Sequence, residues 1–332
     1  MTEFLQLGPA WLWPVVGLLS GLWILIRSSD IFVEGSAGMA RHFGISPIVI
    51  GMVIVGFGTS APEMVVSAFS ALEGKPALAL GNAFGSNIAN IALILGVTAL
   101  IQPIQVHSNI LRRELPLLSA VTLAVLFLLI DGTLSRMDGV LLIILFVTAI
   151  SWTVWIAFKR PMDALLQNVT GAPVAPLSKS GIQLLVGLVL LIVSSRMLVW
   201  GAVELATMAG ISELIIGLTV VAIGTSLPEL ASTIAAVRKG EHDLAIGNVV
   251  GSNLFNTLAV VGIACTIKPF QLDPSILTRD FPLMAVLTLS LFLIGYGRNG
   301  KGRINRVEGG LLLSSFVIYT GWLVWVVIHS TR

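Results

Sequence analysis

The chain has 332 residues, of which 56% are hydrophobic and 11% charged, against about 25% charged in an ordinary soluble domain. Nineteen basic and 17 acidic residues leave a net charge of +2, which offers no surface for nucleic acid. The one cysteine, Cys265, excludes a disulfide framework and a thiolate metal cluster. With a mean hydropathy of +0.97, this is an all-α integral membrane protein; at about 20 apolar residues per span the length holds about ten helices.

Residues 1–10 contain Glu3 and no Lys or Arg. The first apolar run therefore reads as a retained first helix and not as a cleaved signal. Apolar spans follow at 12–33, 45–72, 78–101, 114–131 and 138–158, and then at 181–203, 211–238, 244–267, 281–296 and 308–328. Between the two groups of five lies a polar, proline-rich stretch, Lys159 to Lys179. It separates a first unit, 1–158, from a second, 181–332, with 159–180 as linker.

The two units are copies. Gly58-Thr59-Ser60-Ala61-Pro62-Glu63 aligns with Gly224-Thr225-Ser226-Leu227-Pro228-Glu229. Gly81-Asn82-Ala83-Phe84-Gly85-Ser86-Asn87-Ile88-Ala89-Asn90 aligns with Gly247-Asn248-Val249-Val250-Gly251-Ser252-Asn253-Leu254-Phe255-Asn256. The offset is 166 in both motifs and becomes 170 near the ends, where Trp152 and Trp155 match Trp322 and Trp325. Five crossings is an odd number, so the second copy is expected to insert upside down, in the inverted-repeat plan of secondary transporters. Thirteen of the 19 basic residues fall on the loops opposite the N-terminus. By the positive-inside rule those loops and the linker are cytoplasmic, and both termini are outside. Trp11, Trp13 and the paired tryptophans fit interfacial belts.

Glu63 and Glu229 lie in the middle of apolar spans. A charge there costs about 2.5–3.5 kcal/mol on insertion scales, and is tolerated facing a cavity or a cation. Pro62 and Pro228 remove a backbone donor and clash with the carbonyls of Gly58 and Gly224, so each helix should break there and free oxygens at that depth. Thr59, Ser60, Thr225 and Ser226 add hydroxyls. Asn82, Ser86 and Asn90 share a helix face at spacing i, i+4, i+8, as do Asn248, Ser252 and Asn256. Asn87 and Asn253 lie one residue off it, in a supporting place. For Asn82, Asn87, Asn248 and Asn253, interhelical bonding weighs as much as ligation. Gly81 with Gly85, and Gly247 with Gly251, read as close-packing pairs. His42, His107, His242 and His329 lie in loops or at ends. Many hard oxygens, with neither thiolate nor imidazole among them, suit Ca²⁺ or Na⁺ and not Zn²⁺ or Cu⁺. Two carboxylates balance one divalent or two monovalent ions, which suits exchange.

The doubled G-T-S-x-P-E and G-N-x-x-G-S-N-x-x-N motifs resemble the paired repeats of the sodium/calcium exchanger family, in the calcium/cation antiporter superfamily, and its bacterial members most. The resemblance covers nearly the whole chain. It implies ten helices around four clustered cation sites, Na⁺ entry coupled to Ca²⁺ extrusion at the inner membrane, and in several members three Na⁺ per Ca²⁺. It implies cation binding by Thr59, Ser60, Glu63, Ser86, Asn90, Thr225, Ser226, Glu229, Ser252 and Asn256. It implies no enzyme activity, no cofactor and no obligate protein partner; Ca²⁺ and Na⁺ are the substrates. Many relatives carry Asp where Asn256 stands, which leaves K⁺ and H⁺ coupling open. The proton-coupled branch usually has an acidic residue at Gly85 and Gly251, which argues against H⁺. A cation channel and an intramembrane hydrolase using the two Glu are the rival classes. The inverted repeat disfavours a simple pore, and no nucleophile or substrate lid marks a hydrolase.

Overall fold

The computed structural model describes residues 9–107, 110–159, 176–211, 216, 219–220, 222–295 and 301–330. Almost all of them are helical. A chain this apolar, once out of water, must satisfy its backbone hydrogen bonds internally, and helices do so within one segment. Among the described residues, eight helices are long and apolar enough to cross a membrane. They correspond to eight of the ten expected spans. The expected span 114–131 appears as a π turn, Ile110–Glu114, running into a helix at Leu115–Leu129. The span 211–238 falls partly outside the described residues, as does the linker at 160–175.

Helix α1 (Leu12–Phe43) has 32 residues, about 48 Å at 1.5 Å per residue. It packs antiparallel to an equally long helix, Leu177–Met208. Glycines bring the two backbones together. A Cβ at Gly21 would stand 2.8 Å from the Leu198 nitrogen, and one at Gly187 would stand 2.6 Å from the Phe32 nitrogen. Gly187 and Leu198 are Gly21 and Phe32 shifted by 166. Gly35 against Leu184 and Gly201 against Leu18 are exchanged in the same way. Contacts exchanged between antiparallel partners describe a local two-fold axis.

The short strands repeat this pattern. Strand β1 (Ile104–His107) pairs with a strand at Lys301–Ile304, Ile104 opposite Ile304. Strand β2 (Thr133–Leu134) pairs with β3 (Phe270–Gln271), Leu134 opposite Phe270. The second pair is the first with its members moved to their counterpart positions, and it ties loops at the other end of the bundle.

The helices that carry the motifs are central. The spans 76–101 and 242–267 are 72% and 83% buried, whereas 306–326 is 11% buried. Trp11, Trp152, Trp155, Trp322 and Trp325 are exposed, in keeping with interfacial belts; Trp13 is half-buried.

The two prolines behave differently from each other. A short helix, α2 (Pro47–Ile50), leads toward α3 (Gly56–Leu72), an unbroken helix with Pro62 inside it. The expected break at Pro62 is absent. The distortion sits upstream instead, in a π turn at Gly51–Val55 that changes the hydrogen-bond register before the proline is reached. At Pro228 the chain does break. A short helix, Ala222–Thr225, stops, Ser226 takes the N-cap position without a side-chain cap bond, and a new helix runs Leu227–Arg238 with the proline in its first turn, where no donor is needed.

Candidate cation site

The first motif hangs on α3, which carries Thr59, Ser60 and Glu63. Its counterpart spans the break at Ser226, with Thr225 before it and Glu229 in the first turn after it. The second motif begins on helix α4 (Pro76–Ile88) and changes to π winding at Ala89–Leu95. Its counterpart is helical over His242–Leu254 and π-wound over Phe255–Val260. Asn90 and Asn256 therefore sit one residue into each π segment, and the simple i, i+4, i+8 face is altered at its last member. Such turns recur at functional sites.

All ten expected ligand residues lie on these motif segments. Nine are buried: Thr59, Ser60, Glu63, Ser86, Asn90, Ser226, Glu229, Ser252 and Asn256. Thr225 is half-buried. The copies meet across these segments. Thr59 Oγ1 donates to Asn248 Oδ1 at 3.2 Å and stands 3.5 Å from Ser252 Oγ. Ser60 Oγ donates to Glu229 Oε1 at 3.3 Å. Thr225 approaches Glu63 in the reverse sense. Each carboxylate is thus faced by hydroxyls of the other copy. Neither Glu forms a salt bridge among the described residues. Both are 1% exposed, so neither reaches the interface.

The unsatisfied atoms decide the chemistry. Oε2 of Glu229, Oδ1 of Asn90 and Asn256, and Oγ of Ser226 are sealed from solvent without a hydrogen-bond partner, and both oxygens of Glu63 are sealed with the approach of Thr225 beside them. A buried neutral group left this way costs about 1–3 kcal/mol, and a charged one more. Six buried, under-satisfied oxygens on the motif segments, two carboxylate side chains among them, have the chemistry that hard cations prefer. No His or Cys belongs to the set.

Asn82 and Asn248 support the set. The Asn248 amide donates to the Glu229 carbonyl at 3.3 Å, to Ser232 at 3.0 Å and to Thr233 at 2.9 Å. Asn82 donates to the Glu63 carbonyl at 3.4 Å and to Ser67 at 3.1 Å. Both hold the chain just past the motif Glu. Ser67, Ser232, Thr233 and Thr257 were not singled out in the sequence. Ser67 and Thr233 could have been: they are one hydroxyl position repeated at the 166 offset, four residues after each Glu. The glycine pairs divide. Gly247 packs against Ile48 and Gly51, and Gly251 against Met52. Gly81 is exposed and Gly85 half-buried, with no described atom near a Cβ at either; the counterpart of the 48–52 segment, 214–218, lies largely outside the described residues.

A family model described as sodium/calcium exchanger protein matches residues 13–155 and again 179–325. The chain belongs to the sodium/calcium exchanger family. It is 46% identical over 307 residues to the putative antiporter CaxA of Alkalimonas amylolytica, covering 91% of this chain and 96% of that one. It is 41% identical over 318 residues to the inner membrane protein YrbG of Escherichia coli K12, covering 93% and 96%. Among solved structures, the sodium-calcium exchanger NCX_Mj soaked with Na⁺ and Ca²⁺ superposes with a TM-score of 0.80 at 32% identity, covering 92% of this chain and 97% of that one. This family transports ions, and the chain is a multi-pass cation antiporter.

Proposed function

We propose that the protein exchanges Na⁺ for Ca²⁺ across the inner membrane by alternating access. The observation that carries this reading is the set of buried, under-satisfied oxygens on the motif segments, those of Glu63 and Glu229 among them. A Ca²⁺ ion takes six to eight oxygens, and the set draws them from both copies. Two carboxylates can hold Ca²⁺ at one moment and Na⁺ at the next. Glu63 and Glu229 are the shared ligands. Thr59, Ser60, Ser86, Asn90, Thr225, Ser226, Ser252 and Asn256 complete the shell.

The chain is organised as two inverted five-helix repeats, 1–158 and 181–332, joined by a cytoplasmic linker at 159–180, with both termini outside. Ten helices follow if 114–131 and 211–238 both cross. The exchanged contacts between α1 and Leu177–Met208 support inversion. The distribution of basic residues supports the orientation.

The test is flux in proteoliposomes. Vesicles loaded with Na⁺ and diluted into Na⁺-free medium should take up ⁴⁵Ca²⁺. Gradients of K⁺ and H⁺, imposed one at a time without Na⁺, should drive little uptake. Uptake driven by H⁺ alone would replace Na⁺ with H⁺ as the counter-ion. Flux that needs no counter-ion would make the protein a channel.

A further inference from the structure

We propose that Asn253 is a positioning residue that fixes Asn90 as an oxygen ligand, while its counterpart Asn87 leaves Asn256 unfixed. This rests on the reading that Asn90 and Asn256 face cations. A carboxamide carries an oxygen and a nitrogen of nearly equal size, and rotation about its last torsion exchanges them. Only the oxygen can bind a cation. A carboxamide at such a site therefore needs something to hold the nitrogen away.

Asn253 supplies this. Its Oδ1 accepts the Asn90 amide at 2.9 Å, and both residues are 1% exposed. With its nitrogen occupied, Asn90 is left with Oδ1 as the atom lacking a protein partner. The Asn253 nitrogen has no partner either, so this side chain serves through its acceptor alone.

The mirror contact would run from the Asn256 amide to Asn87 Oδ1. It is absent, and both of those atoms are orphaned. The Asn87 amide is drawn elsewhere, to Thr257 Oγ1 at 2.7 Å and Met284 Sδ at 3.3 Å. The sequence explains the difference. At the 166 offset Thr257 and Met284 correspond to Ile91 and Leu118. Asn253 has no acceptor at those places to divert it, so it stays with Asn90. Asn256 is held at neither amide atom and can turn oxygen or nitrogen inward. The two asparagines are thus unequal ligands: Asn90 is preset, and Asn256 adapts.

The test is Na⁺-driven ⁴⁵Ca²⁺ uptake by the full-length protein in proteoliposomes, with apparent KM and Vmax measured for each ion, and with thermal melting as the check on folding. Asn253→Ala should raise the KM for Ca²⁺ by up to about tenfold, the scale of one neutral hydrogen bond, with Vmax little changed. Because Asn253 acts through Asn90, its loss should add nothing in an Asn90→Ala background. Asn253→Asp keeps an acceptor oxygen for the Asn90 amide, exchanges the unused donor for a carboxylate charge, and should not weaken Ca²⁺. Thr257→Val releases the Asn87 amide and should lower the KM for Ca²⁺. Additive losses at Asn253 and Asn90 would overturn the proposal, as would Asn253→Asp failing as badly as Asn253→Ala. A Ca²⁺ KM unchanged in Thr257→Val would overturn the half that concerns Asn256. If Asn90→Ala itself leaves both KM values untouched, the cation-site reading fails and takes this inference with it. If Asn90→Ala weakens Ca²⁺ and Asn253→Ala does not, only the positioning role is lost.

Discussion

Gly247 and Gly251 lie against the backbone of residues 48–52, whereas Gly81 is exposed and Gly85 half-buried, although both pairs hold the same place in the two copies. The same contrast runs through the neighbourhood. Asn248 and Thr59 are buried; Asn82 and Thr225 are half-buried. Among the described residues, packing is closer at one face, the closed face, than at the other. The closed face also carries ion pairs. Lys239 meets Glu34 at 2.7 Å and Asp30 at 3.7 Å, and Arg41 meets Glu241 at 3.2 Å. The counterparts of Asp30 and Lys239 are Arg196 and Glu73, a pair of the same complementarity with signs reversed. No salt bridge joins them among the described residues.

Four experiments break or sharpen this comparison. The largest effect belongs to the carboxylates, where the copies should behave alike. Glu63→Gln and Glu229→Gln should each cut Ca²⁺ transport on the order of 100-fold, as for loss of a buried charged partner. A large loss at one and a small loss at the other would mean that one copy alone carries the ion.

The glycines should separate stability from transport. A side chain at Gly251 meets the Met52 backbone. Gly251→Val should therefore lower the melting temperature, with a cost of about 1–3 kcal/mol for overpacking. Gly85→Val meets no described atom. It should leave melting unchanged yet slow exchange, by blocking closure at that face. Equal destabilisation by both would show that the looseness is not a property of the fold.

The ion pairs come next. Exposed pairs are worth about 0–1 kcal/mol, so Lys239→Gln should shift the balance between faces by a fewfold at most. The readout is alkylation of a cysteine placed at Gly81, which should slow as the closed face loosens. Glu73→Gln should act in the opposite direction.

The smallest effect is on pH. His107 Nδ1 lies 2.7 Å from Asp243 Oδ1 at the closed face. The hydrogen bond to Asp243 holds the His107 pKa above its ordinary value, with burial opposing. The protonated form is thus favoured in the folded state. The pair contributes fully below the ordinary histidine pKa, and its contribution fades as pH rises through the raised one. Asp243→Asn should move the His107 titration, followed by NMR, back down. The counterparts on the looser face, Asp273 and Ala77, cannot form this pair.

The two copies were legible because polar residues in an apolar chain stand out, and a fixed offset repeats them. The burial of Glu63 and Glu229 inside apolar spans was legible for the same reason. Winding was not legible. The π segments of the second motif, Ala89–Leu95 and Phe255–Val260, lie in largely apolar runs that read equally well as α-helix. The proline rule failed at Pro62, which stays inside α3, and held at Pro228, where the chain breaks at Ser226. Partners of the asparagines depend on packing between distant helices, as Asn87 with Met284 shows, and no local pattern encodes that.

The central claim is that Glu63 and Glu229 form one site shared by Ca²⁺ and Na⁺. Equilibrium ⁴⁵Ca²⁺ binding to the purified protein across a series of Na⁺ concentrations tests it most directly. The expected result is displacement of Ca²⁺ by Na⁺ with more than one Na⁺ per Ca²⁺, and loss of binding in both Glu63→Gln and Glu229→Gln. Ca²⁺ binding that is indifferent to Na⁺, or that survives both substitutions, would contradict the account.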